Sequence, residues 1–308
     1  MIKVFTFAGE KPLEFLFCVL LALVPSLIWI AVFNKKHREK KSVIAFNFVL
    51  GMFSALIVLA YQFFWGQKFN LGFFAIEPPN FQKNISDNFA HPILISALVF
   101  LSVGFLEEYS KHWVVKKGST KFFQSVSDVV ELSIVAALGF AFLENIGYFF
   151  QMILIGKSQN LPGLFLMRSV FVVFIHILCS GIYGYFYGLG FFSQPLFQDD
   201  SKDCIAHKFL IPKVLHHVFH LSEERTFHNE MISLGLVVSV LLHGLYDFIL
   251  DVNISLGSIF KIEQLSGIGL HILALPLFFS LGIFSLSRIL RSQKKNFGHK
   301  ITKDLFVQ

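Results

Sequence analysis

The sequence predicts an all-α fold, a polytopic transmembrane helix bundle of about seven spans with the N-terminus outside and the C-terminus cytoplasmic. Three observations predict it. Of 308 residues, 55% are apolar and only 15% charged, where ordinary soluble domains carry about 25% charge; the mean hydropathy is +0.65. The apolar residues gather in seven runs of roughly membrane-spanning length. The basic residues gather in alternate loops. Such a composition excludes a disordered chain, a nucleic-acid-binding module and a disulfide-stapled secreted protein.

A helix needs about 20 apolar residues to cross roughly 30 Å of hydrocarbon. The runs are Leu13–Phe33, Val43–Trp65, Pro92–Val115, Val129–Ile155, Gly163–Phe192, Glu230–Leu250 and Ser266–Leu290. The first is too long for a signal-peptide core and lacks a basic leader and a small-residue cleavage site, so it reads as a retained span. With the N-terminus outside, the cytoplasmic segments hold eighteen Lys and Arg and the outer segments six, which sets the orientation. Cys18 and Cys179 lie within apolar runs and Cys204 in a polar loop; without a CxxC they imply neither a disulfide nor a zinc ribbon. The whole chain, 1–308, reads as one integral membrane domain. The inner loop Ser193–Asn229 carries an amphipathic pattern through Ile205, Phe209, Val214 and Val218 that suits a helix lying on the membrane surface.

Charged side chains near the bilayer centre cost about 2.5–3.5 kcal/mol each on insertion scales, yet four consecutive spans carry them. The third has Glu107, Glu108 and Lys111, the fourth Glu144, the fifth His176, and the sixth His243 with Asp247. Glu107, Glu144, His176 and His243 each come about 13 to 16 residues into their spans, which places all four within roughly 8 Å of the midplane. Because neighbouring spans run in opposite directions, this agreement is no counting offset. The polar groups are expected to meet.

Glu107 and Lys111, Glu144 and Tyr148, and His243 and Asp247 are i,i+4 pairs that share a helix face. Glu107 and Glu108 are about 100° apart around the helix, so one is expected to face the site and the other to be held by Lys111 or a neighbour. Asp247 is placed to orient the His243 ring. His176, Ser180, Gly184 and Gly188 form an i+4 stripe of small residues expected to pack closely against another helix. Carboxylates and imidazoles in a dry bundle suit hydrolysis. They can activate a water by a glutamate, or hold a zinc ion as Glu and His ligands, with Glu108, His176 and His243 as candidates.

These motifs resemble the PrsW family of membrane proteases, distantly related to the CAAX-processing and bacteriocin-processing membrane endopeptidases. The resemblance lies in Glu107-Glu108-Tyr-Ser-Lys111, Glu144-Asn145-Ile-Gly-Tyr148, the lone His176 in a small-residue helix, and His243-Gly-Leu-Tyr246-Asp247. It covers a core of about 92–250. It implies an intramembrane endopeptidase of the cell membrane acting on a membrane-anchored protein substrate, with regulated proteolysis and signalling as the setting. Glu107, Glu108, Glu144, His176 and His243 would be catalytic, and Lys111, Asn145, Tyr148 and Asp247 supporting. The cofactor is zinc, or none if a glutamate alone activates the water. The absence of HExxH leans away from a conventional zincin arrangement.

Blander readings apply to the same residues. The Glu107, Glu108 and Lys111 group suits a structural ion-pair cluster, and Glu144 suits packing against Lys111 or Arg168. Intramembrane acids and histidines also mark proton- or ion-coupled transporters, and intact motifs are compatible with an inactive scaffold that binds membrane segments. His216, His217 and His220 read as a surface helix, Glu223 and Glu224 as a solvated loop start, and His112 as a partner of Glu108. Glu131 is expected to reach the interface, and His271 is unassigned.

Overall fold

The computed structural model describes residues 9–34, 41–69, 92–193, 217–218, 222–251 and 271–296. Its elements are α1 (Pro12–Asn34), α2 (Lys41–Phe69), α3 (Pro92–Gly118), α4 (Val126–Leu154), α5 (Leu161–Met167), a π-helical turn (Arg168–Val172), α6 (Val173–Phe191), α7 (Glu223–Asp251) and α8 (His271–Asn296). Single 3-10 turns, Thr120–Phe122 and Ser158–Asn160, precede α4 and α5. Among the described residues, six helical stretches are long and apolar enough to cross a membrane, and α8 has a shorter apolar stretch, Leu275–Arg288. The protein is therefore a multi-pass helical membrane bundle. Residues 266–270 of the expected seventh span lie outside the described residues. So do His216, His220, nearly all of the expected surface helix, and the outer loop beyond Phe69.

Helix α4 is the axis of the bundle. The Ser125 hydroxyl accepts the Asp128 amide at 3.2 Å, capping the helix with an acid in its first turn. Almost every side chain from Val126 to Phe150 is buried, so α4 needs no polar face, and its run reads apolar on all sides. Helix α2 approaches it backbone to backbone. A Cβ at Gly139 would overlap the Phe48 carbonyl, and one at Gly51 would overlap that of Ala136. The small-residue stripe on α6 behaves as expected: a Cβ at Gly184 would come within 2.9 Å of the Val130 Cα, and one at Gly188 within 2.9 Å of Val126.

One detail is added and one expectation changes. The fifth span, one continuous helical stretch, passes through a π turn at Arg168–Val172, although its sequence holds no proline there. Glu223 and Glu224 open α7 rather than starting a loop, their charges favoured by the amides of a helix N-terminus; Ser222 accepts the Arg225 amide at 3.4 Å.

Candidate active site

Helix α3 wears its polar side inward. Phe105, Tyr109 and Trp113, spaced four apart, are exposed at the bundle's periphery, while Glu107, Glu108, Lys111 and His112 are buried. Helix α7 repeats the arrangement, with Val237, Leu241 and Leu245 outward and His243 and Tyr246 inward. The two helices close together where a Cβ at Gly104 would come 3.1 Å from the Val240 carbonyl and one at Gly244 2.9 Å from the Leu101 Cα. That contact brings His243 against both glutamates.

His243 Nδ1 lies 2.7 Å from Glu108 Oε1, and its Nε2 lies 3.5 Å from Glu107 Oε2. Adjacent carboxylates therefore do reach one side chain, because an imidazole offers nitrogens on two edges. Glu108 also takes the Lys111 ammonium at 2.8 Å, while Glu107 Oε2 is 3.6 Å from it. Asp247 Oδ2 is 3.7 Å from His243 Nε2, beyond hydrogen-bond length. Asp247 thus shares the His243 face as its spacing predicts, but the carboxylate within hydrogen-bond distance of the ring is Glu108.

His176 is held from both edges. Its Nδ1 lies 2.8 Å from the Lys111 ammonium and its Nε2 3.1 Å from Glu144 Oε2. Lysine has only donors, so Nδ1 accepts, and Nε2–H donates to Glu144. Glu144 in turn pairs with Arg168 at 2.8 Å. Arg168 Nε donates to Asn145 Oδ1 at 2.6 Å, and its guanidinium lies 3.7 Å over the Tyr148 ring. The His176 and His243 rings meet edge to face at 5.1 Å. Arg168 is the group that motif reading left in the background; an arginine inside an apolar run was its signal. His112 engages the Tyr183 hydroxyl rather than Glu108. Glu131, expected at the interface, is buried, because α4 is enclosed along that turn.

Three buried carboxylates thus face two fixed cations. Arg168 answers Glu144 and Lys111 answers Glu108, leaving Glu107 with a buried Oε2 that has no hydrogen-bond partner among the described residues. One carboxylate oxygen of Glu107 and one ring nitrogen each of His176 and His243 lie within 4.8 Å of one another. Two imidazoles and a carboxylate make a donor set that suits zinc, and the Glu144–His176 contact is the carboxylate–histidine support common behind zinc ligands. The carboxylate joining both histidines is Glu107; Glu108 groups with His243 and Cys179 instead.

A family model described as PrsW family intramembrane metalloprotease matches residues 39–229. The chain belongs to the PrsW family. Nothing among curated proteins or solved structures matches it. The PrsW match takes in Glu107, Glu108, Lys111, Glu144, Asn145, Tyr148 and His176, but it ends before His243 and Asp247. Geometry alone brings those two α7 residues into the PrsW cluster, and His243 is 3% exposed within it. As a PrsW-family protein the chain is a membrane-embedded peptidase.

Proposed function

We propose that this PrsW-family protein cleaves a membrane-anchored protein substrate at the depth of Glu107, His176 and His243, in regulated proteolysis at the cell membrane. The buried Oε2 of Glu107 carries this reading: it has no hydrogen bond among the described residues and lies 3.5 Å from His243 Nε2 and 3.6 Å from the Lys111 ammonium, so it can still receive a proton from water. Glu107 takes that proton as the water's oxygen adds to the scissile carbonyl. The Lys111 ammonium lends positive charge to the oxyanion that forms. The C–N bond then breaks as the carbonyl re-forms, and Glu107 returns its proton to the leaving amine. Glu108 and Glu144 keep the His243 and His176 rings in place, and Arg168 keeps Glu144 in place. Zinc held by Glu107, His176 and His243 would supply Lewis-acid activation of the water and carbonyl. The 1–308 chain works as one domain with its core at about 92–250, the N-terminus outside and the C-terminus in the cytoplasm.

Purified protein given a labelled single-span substrate is the test. Glu107→Gln is expected to slow cleavage by about 10²–10⁴-fold while thermal unfolding stays near wild type. Undiminished cleavage in that variant removes Glu107 from the chemistry. Chelation divides the two water mechanisms: activity lost and then restored by zinc assigns the donor set to a metal, and activity that persists leaves the water to Glu107 alone.

A further inference from the structure

The donor set of Glu107, His176 and His243 already has a cation against it. Lys111 Nζ is 2.8 Å from His176 Nδ1, 2.8 Å from Glu108 Oε1 and 3.6 Å from Glu107 Oε2, with the Phe140 ring 4.1 Å away. Because Glu144 takes the proton on His176 Nε2, Nδ1 holds the only lone pair that the ring can offer. One imidazole lone pair serves either an N–H donor or a metal. Lys111 uses it.

We propose that the Lys111 ammonium is the resident cation of this donor set, and that a divalent metal enters only by displacing it from His176. The inference rests on the zinc reading above. Like charges at this separation repel strongly away from water, so ammonium and metal exclude one another electrostatically as well as at the lone pair. Displacement has a route. Lys111 and Glu108 are three residues apart on α3, so the flexible lysine stem can release His176 while keeping its pairing with Glu108. The consequence is selectivity. A hard cation that prefers oxygen donors, such as magnesium, gains too little from an imidazole to evict the ammonium, whereas zinc gains enough.

Zinc affinity of the detergent-purified full chain, measured by competition with a chromophoric chelator, is the test. Lys111→Met, which removes both donor and charge, is expected to bind zinc at least about tenfold more tightly than wild type, and Lys111→Arg no more tightly. Should Lys111→Met fail to fold, wild-type protein labelled with ¹⁵N at its lysine side chains gives a second reading: saturating zinc must shift the Lys111 resonance. Equal or weaker zinc binding by Lys111→Met, or an unmoved Lys111 resonance in zinc-loaded protein, overturns the proposal while leaving the zinc reading intact. Zinc binding by neither wild type nor variant overturns both.

Discussion

Arg168, on a π-helical turn, reaches Glu144 on the neighbouring helix at 2.8 Å. The π register re-aims side chains within a helix, and here it coincides with the residue that fixes a carboxylate behind a histidine. Arg168→Leu leaves Glu144 as an uncompensated buried charge and is expected to cost about 3–5 kcal/mol. Adding Glu144→Leu removes that charge and should recover most of the loss. Thermal unfolding of the four proteins in a double-mutant cycle reads the coupling; additive losses would show that the pair is not coupled.

Asp247 and Glu108 both approach His243, at 3.7 Å and 2.7 Å. Only the shorter contact is a hydrogen bond, and the Asp247 side chain is a quarter exposed. Asp247→Asn is therefore expected to lower cleavage by less than about tenfold, and His243→Ala by about 10²–10⁴-fold. Equal losses in the two variants would return the orienting role to Asp247.

The contact of α2 with α4 tolerates no side chain at Gly139, where a Cβ meets the Phe48 carbonyl. Gly139→Val is expected to cost about 1–3 kcal/mol or more by overpacking. Gly163→Ala, at a position with nothing within 4 Å of an added Cβ, should stay within about 0.5 kcal/mol of wild type. Heat-induced aggregation in detergent separates the two.

Lys117 and Lys157 are exposed on opposite sides of α4 along the chain. In a Cys204→Ser background, Lys157→Cys is expected to react with a membrane-impermeant maleimide in intact cells. Lys117→Cys should react only after permeabilisation, as an external N-terminus requires. The reverse pattern inverts the orientation.

The helices were legible because hydrocarbon thickness sets their length, and counting along each run placed Glu107, Glu144, His176 and His243 at one level. Pairings were legible only where they are local. Lys111 with Glu107 and Glu108 follows from spacing, but His243 with Glu108 spans 135 residues and Lys111 with His176 spans 65. Local spacing offered Asp247 as the partner of His243, and the three-dimensional contact of α3 with α7 chose Glu108. The π turn left no mark, since neither glycine nor proline occurs in Arg168–Val172. Glu131 misled because helix position alone does not tell which neighbours enclose a turn.

The inward polar side of α3 also bears on how the chain is made. During synthesis at about 5–20 residues per second, His243 emerges on the order of ten seconds after Glu108, so α3 must enter the lipid before its distant partner exists. At about 2.5–3.5 kcal/mol per central charge, two bare carboxylates would strain that step. Lys111, three and four residues on, neutralises one of them within the nascent helix itself. The charge pairing that the finished cluster keeps is thus available within one helix, before any later span is made.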